Sequence, residues 1–273
     1  MITYRGREFP DARTARASVL EFATGPAVAV ADAEPPMPVA PMLERRRDEP
    51  KRRALVDKYR PRTLAEVAGQ PEVLAVLRDF AAMPYSWPFI LAGDTGTGKT
   101  SAAWALAADL GCNVDADPSE FGGVFSIPSG EHNSDAIRDL WPVLWLTPFN
   151  SERGWKVLIV NEVEQVSGKV ELLWLDRLED LPPRTVIIFT TNAVESLPAR
   201  FRDRCTVLAF EASADRLDGP ARGLARQIWR QETGEDCPPA IVQTIVDRAT
   251  QAGRVSFRRV VQHIVPLMAQ KAR

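Results

Sequence analysis

The sequence predicts an α/β protein: a parallel sheet of five strands covered by helices on both faces, followed by a small helical domain. Three observations predict it. Five apolar runs, SWPFILAGD, VFSIPS, WKVLIVNEV, RTVIIFTTN and TVLAFEA, alternate with segments of helical period. Continuous Val/Ile/Leu runs suit strands buried on both faces, as in parallel sheets. After Glu211 no strand pattern remains, and three helical segments close the chain. Between the first run and the next helix lies a glycine-rich loop, GDTGTGKT.

Taken in order, residues 1–53 read as an extension. GPAVAVADAEPPMPVAPM carries neither helical nor strand period and is expected to be mostly disordered. A charged run with a basic excess follows from Glu44 to Arg53; it reads as a solvated linker or a phosphate-contacting arm. Residues 54–211 form the expected core. A helix starts at Pro71, where proline suits the first turn. SAAWALAADL is helical and ends at Gly111, a C-cap glycine. SDAIRDLWPVLWL is helical, with Ser134 as the expected N-cap. GKVELLWLDRLEDL is amphipathic and stops at Pro182 and Pro183. Residues 212–273 supply the helices GPARGLARQIWRQETG, PPAIVQTIVDRATQAG and SFRRVVQHIVPLMAQKA.

Composition excludes several classes. The 273 residues are 45% hydrophobic, enough for a sizeable core. The formal net charge of -2 confines any nucleic-acid contact to a local patch. Cys112, Cys205 and Cys237 lack metal-ligand spacing and read as free thiols. No apolar run approaches the roughly 20 residues a membrane helix needs, and no signal peptide is evident. A cytoplasmic protein without membrane contact is expected. His132 and His263 stand alone and read as structural.

Gly93, Gly98, Lys99 and Thr100 satisfy G-x-x-x-x-G-K-[ST], with Asp94, Thr95, Gly96, Thr97 and Ser101 completing the loop and its exit. Glycines let backbone N–H groups turn inward around phosphate oxygens. Lys99 would neutralise the β and γ phosphates, and the Thr100 hydroxyl would ligate Mg²⁺. The following helix N-terminus adds positive potential. ATP is therefore the expected ligand. Phosphoryl transfer also needs a metal-holding carboxylate and a group that activates water. The end of KVLIVNEVE offers Asn161 and Glu162. Glu162 suits the water-activating role. Asn161 stands where an aspartate normally holds the metal, so ATP binding is expected to survive while hydrolysis is less secure. Asn192, ending FTTN, reads as a water-holding side chain or a strand-ending turn residue. Arg204, in FRDRC, reads as a surface arginine or as an arginine finger reaching a neighbouring subunit.

These motifs, in this order from about Val56 to Val265, resemble the clamp-loader group of AAA+ ATPases: replication factor C small subunits and the bacterial gamma/tau and delta-prime subunits. KYRPRTLAEVAGQPEVLAVLRDF resembles the group's opening signature, which implies that Tyr59, Arg60, Pro61, Val67 and Ala68 surround adenine. The resemblance implies Walker B at VLIVNE, sensor 1 at Asn192 and a trans-acting motif at FRDRC, with Asp203 where the group has serine. Arg258 matches the sensor 2 arginine, with Arg254 and Arg259 as alternatives. It further implies assembly with other AAA+ subunits, a sliding clamp as partner, and contacts to the DNA phosphate backbone near Arg138 and Lys169. The group's zinc module is missing from the pattern. No sequence remains for its collar domain, so assembly is expected through the AAA+ modules or another protein.

Overall fold

The computed structural model describes residues 2–4, 7–9, 58–116, 121–131, 133–165 and 168–271. The basic run, most of the extension, its boundary with the core and His132 lie outside them. Within the extension, β1 (Ile2–Tyr4) and β2 (Arg7–Phe9) pair antiparallel. Neither strand is expected from the sequence.

The core is a five-stranded parallel sheet of β3 (Trp87–Gly93), β4 (Val124–Ile127), β5 (Lys156–Val160), β6 (Thr185–Thr191) and β7 (Thr206–Phe210). Its order is β4-β5-β6-β3-β7. β3 therefore pairs with β6 on one side and β7 on the other, Ile90 lying opposite Phe189 and Val207. The chain order changes direction there, which opens a crevice beyond the carboxyl ends of the strands.

The apolar runs are continuous because both faces are covered. Alternate residues of each strand point to opposite faces. Phe89 and Leu91 of β3, with Val157, Ile159, Val186 and Ile188, pack on α1 (Pro71–Ala82) and α2 (Lys99–Asp109). Ile90 and Ala92, with Leu158, Val160, Ile187 and Phe189, pack on α3 (Ser134–Leu144), α4 (Gly168–Glu179) and the short α5 (Ala199–Arg202). Trp174 and Phe201 flank Phe189 edge-on, with ring centroids 5.1 and 5.0 Å away. Gly111 follows α2 at φ +84°, as a C-cap glycine should. The cap of α3 is Asn133 rather than Ser134: its side chain accepts from the Ala136 N–H at 2.7 Å. Both residue types cap well, and the chain turns helical one residue earlier than expected.

The last helices, α6 (Ala214–Thr233), α7 (Pro239–Ala249) and α8 (Phe257–Lys271), enclose a separate apolar cluster around Trp229, Ile245 and Ile264. α6 begins five residues before the expected start at Gly219 and carries Pro220 inside it. Proline there is the seventh helical residue, so the one bond its N–H would give the Arg216 carbonyl is missing. Between α7 and α8 the chain makes a pair of two-residue strands, β8 (Thr250–Gln251) and β9 (Arg254–Val255). By their contacts these helices belong to one compact unit with the sheet. The link at the junction is Gln70. It is 2% exposed and left-handed, and its side-chain amide pairs with both backbone groups of Glu211, 2.7 and 2.9 Å away. Glu211 lies between β7 and α6, so Gln70 ties the start of α1 to the turn into the three-helix lid formed by α6, α7 and α8. Among the described residues no helix is long and apolar enough to cross a membrane.

Candidate nucleotide site

The glycine-rich loop leaves the end of β3 and enters α2, at the crevice the strand order creates. Gly93, Gly96 and Gly98 adopt φ of +144, +84 and +102°, which a side chain would strain. Thr97 is fully buried and its hydroxyl donates to the Asp94 carbonyl at 2.8 Å, bracing the loop. The free N–H groups of the first turn of α2 then face the crevice.

Lys99 is 8% exposed. Its ammonium donates to the carbonyls of Gly93 (2.7 Å) and Asp94 (2.8 Å) and to Asn192 Oδ1 (3.0 Å). Burial lowers its pKa to about 8; Arg258 pushes the same way, while Glu164, Asp94 and Glu162 oppose. The Thr100 hydroxyl lies 3.2 Å from Asn161 Oδ1, and Thr190 Oγ1 donates to the same oxygen at 3.4 Å. Asn161 and Glu162 directly follow β5, and Glu162 is left-handed at φ +56°. Its N–H donates to Thr190 Oγ1 at 3.2 Å. Asn192 directly follows β6, and its Oδ1 also accepts from Thr95 Oγ1 at 3.3 Å.

These groups line one cleft of about 650 Å³, a volume suited to a nucleotide. Tyr59, Arg60, Pro61, Val67 and Ala68 line its other end. Tyr59 and Ala68 also pack on the lid cluster, and Arg60 lies over the Trp104 ring, 5.7 Å from its centroid. The Tyr59 hydroxyl donates to Glu232 of α6, and Lys58 pairs with the same carboxylate at 2.5 Å. Burial and then Glu232 hold the Tyr59 phenol firmly protonated. Arg258 of α8 lines the cleft as well. Of the two alternatives, Arg254 pairs instead with Asp94 at 2.8 Å, while the backbone N–H of Arg259 meets Ser256 Oγ at 3.4 Å and the residue is not among those lining the cleft.

Arg204 is not brought to this cleft. Its guanidinium donates to Glu179 at 2.6 Å and to the Arg200 carbonyl at 2.8 Å. Other contributors went unseen in the sequence. Glu164 accepts from the backbone and side-chain amides of Asn192; its only signal was a third polar residue beyond β5, in NEVE. Thr190 braces Asn161 and Glu162. Ser256 lies so close to Gly96 that a Cβ there would sit 2.1 Å from its hydroxyl, and the Phe257 N–H donates to the Gly96 carbonyl at 2.9 Å. The lid thus rests directly on the phosphate loop.

The donor set suits Mg²⁺ in type. Thr100 and Asn161 present neutral oxygens, which a hard cation accepts. Neither carries the charge a carboxylate would add.

Residues 89–211 match the AAA family, ATPases associated with various cellular activities. The chain is 29% identical over 160 residues to the replication factor C small subunit of Thermoplasma acidophilum, covering 58% of this chain and 49% of that one. It is 25% identical over 175 residues to the DNA polymerase III subunit gamma of Buchnera aphidicola subsp. Schizaphis graminum, covering 55% and 46%. It thus spans about half the length of these curated relatives. A point mutant of Thermotoga maritima RuvB shares the fold, with a TM-score of 0.54 at 17% identity over 77% of this chain and 73% of that one. The match to the AAA family thus covers residues 89–211, and the chain is similar to the replication factor C small subunit and the polymerase III gamma subunit over about half the length of each.

Proposed function

We propose that the protein binds ATP with Mg²⁺ in this cleft, hydrolyses it at a site shared between subunits, and acts in DNA replication or repair in the manner of a clamp-loader subunit. The observation that supports this best is convergence. Side chains from β3's loop, β5, β6 and the lid meet at one end of the cleft, and the Tyr59–Pro61 segment meets the other.

The geometry supports a role for each residue. The first-turn N–H groups of α2 and Lys99 hold the phosphates. Lys99 exchanges its loop carbonyls for phosphate oxygens. Thr100, with Asn161 behind it, would hold Mg²⁺, which would neutralise charge on the phosphates. Glu162 takes the proton from the attacking water, and Asn192 holds that water in line. Arg258 reaches the phosphates from the lid, so lid position reports the nucleotide. Arg204 acts across an interface on a neighbouring subunit, which fits its absence from its own cleft.

The relatives and the surface support three kinds of partner. Other AAA+ subunits, alike or different, would complete the site. Arg138 on α3 and Lys169 at the start of α4 are exposed and available to DNA phosphates, where contacts carry no base information. Trp145, Leu146 and Phe149, just after α3, expose apolar surface of the kind a protein partner such as a sliding clamp covers. ATP turnover measured with and without primed DNA and a sliding clamp tests the reading: stimulation supports it, and failure to bind either under ATP overturns it.

Asn161 favours a second reading, an ATP-dependent interaction switch that hydrolyses slowly or not at all. Ordinary turnover by the natural sequence, abolished by Glu162→Gln, would exclude it.

A further inference from the structure

The Glu164 carboxylate makes an unusual pair of bonds. A single oxygen, Oε1, accepts from the Asn192 backbone N–H at 3.1 Å and from Asn192 Nδ2 at 3.2 Å. Its other oxygen, Oε2, is buried with no hydrogen-bond partner among the described residues. A buried carboxylate oxygen left unpaired costs stability, so this arrangement is not explained by a gain in folding. Glu164 is not among the residues lining the cleft; it stands behind Asn192.

The consequence concerns the orientation of an amide. The two ends of an asparagine side chain are nearly isosteric, and rotation by half a turn exchanges a donor for an acceptor. At Asn192 the choice is set from behind. Nδ2 faces a carboxylate that can only accept, so Oδ1 faces the loop and receives Thr95 Oγ1 and Lys99 Nζ. The opposite rotamer would set an NH₂ against the Lys99 ammonium and an oxygen against the Glu164 carboxylate.

We propose that Glu164 is the positioning residue that fixes the Asn192 amide, so that Asn192 serves the phosphate end of the cleft as a hydrogen-bond acceptor, through its oxygen, rather than as a donor. The inference rests on the cleft being a nucleotide site. Glu164 reaches neither nucleotide nor water and works through Asn192. Oδ1 then accepts a hydrogen bond from the attacking water or from Lys99, which orients the nucleophile without competing for phosphate oxygens.

The test uses the ¹⁵N-labelled full chain, with the Asn192 side-chain amide signals identified by their loss in Asn192→Ala. Glu164→Gln keeps the shape and an acceptor oxygen; Glu164→Ala removes both. The expected natural-sequence signal is a widely split pair of Nδ2 protons, the one bonded to the carboxylate lying downfield. The splitting collapses in Glu164→Ala and narrows in Glu164→Gln. With Mg²⁺-ATP, kcat falls at least tenfold in Glu164→Ala and less in Glu164→Gln, while ATP Kd stays within about threefold. Asn192 signals unchanged in Glu164→Ala overturn the proposal, as does a collapsed splitting with kcat unchanged. A natural sequence that turns over no ATP overturns the hydrolysis reading instead, and the amide signals then decide the positioning role alone.

Discussion

Raising the pH should weaken nucleotide binding through Lys99. The residue is 8% exposed, and burial brings its pKa to about 8 against 10.5 for a free lysine. That gap corresponds to about 3 kcal/mol of differential interaction between the two protonation states. The sign for stability follows. The folded state binds fewer protons than the unfolded chain between pH 8 and 10.5, so the cost of the buried charge is present in full below pH 8 and relieved as pH rises toward 10.5. For binding the sign is opposite, because only the ammonium neutralises phosphate. A group of pKa near 8 goes from about three-quarters protonated at pH 7.5 to about 3% at pH 9.5, so ATP affinity should fall roughly 20-fold across that window. Isothermal titration calorimetry in buffers of different ionisation enthalpy should find uptake of nearly one proton per ATP at pH 9. Lys99→Arg, which cannot deprotonate, should flatten the profile. A flat natural-sequence profile, or a Lys99→Arg slope equal to it, would refute the reasoning.

Four further outcomes are expected. Gly98→Ala meets nothing within 4 Å and costs only backbone strain, whereas Gly96→Ala also displaces Ser256 and the Phe257 N–H bond; one lost bond, about 1 kcal/mol, should raise amide exchange in residues 254–261 about fivefold in Gly96→Ala alone. Gln70→Ala strands both backbone groups of Glu211, which should cost about 2–3 kcal/mol and lower Tm by roughly 5–10 °C in calorimetry; a drop under about 2 °C contradicts the junction role. Asn161→Asp returns a negative charge beside Thr100, worth a few kcal/mol toward a dication at an effective dielectric near 20; the Mg²⁺ needed for half-maximal turnover should fall at least tenfold, and an unchanged Mg²⁺ dependence would refute it. Arg204→Ala loses a surface pair with Glu179 and about 1 kcal/mol at most, yet turnover should fall by about 10³ or more if the arginine acts across an interface; a fully active variant removes that role.

The sheet was legible because its strands are buried on both faces. Runs such as VLIV and VIIF admit few alternatives when helical segments separate them. The loop was legible because phosphate binding requires glycine at fixed spacing. Less visible was whatever depends on contacts distant in sequence. The bond from Glu164 to Asn192 spans two strand ends, and nothing in NEVE marks which carboxylate faces where. Gln70 reads as an ordinary polar residue before a helix, yet it pairs with a backbone 141 residues away. The seating of Ser256 on Gly96 depends on how the lid packs, which periodicity does not reveal. The cap of α3 shifted from Ser134 to Asn133 because adjacent residues of equal capping strength leave the choice to the turn.

An ATPase site in this cleft depends on Glu162 as its base. ATP Kd and steady-state turnover of the natural sequence and of Glu162→Gln, measured side by side with Mg²⁺, test it most directly. Similar Kd values are expected, with a turnover at least about 100-fold lower in Glu162→Gln. A natural sequence that binds no ATP, or a Glu162→Gln variant that turns over as fast, would contradict it.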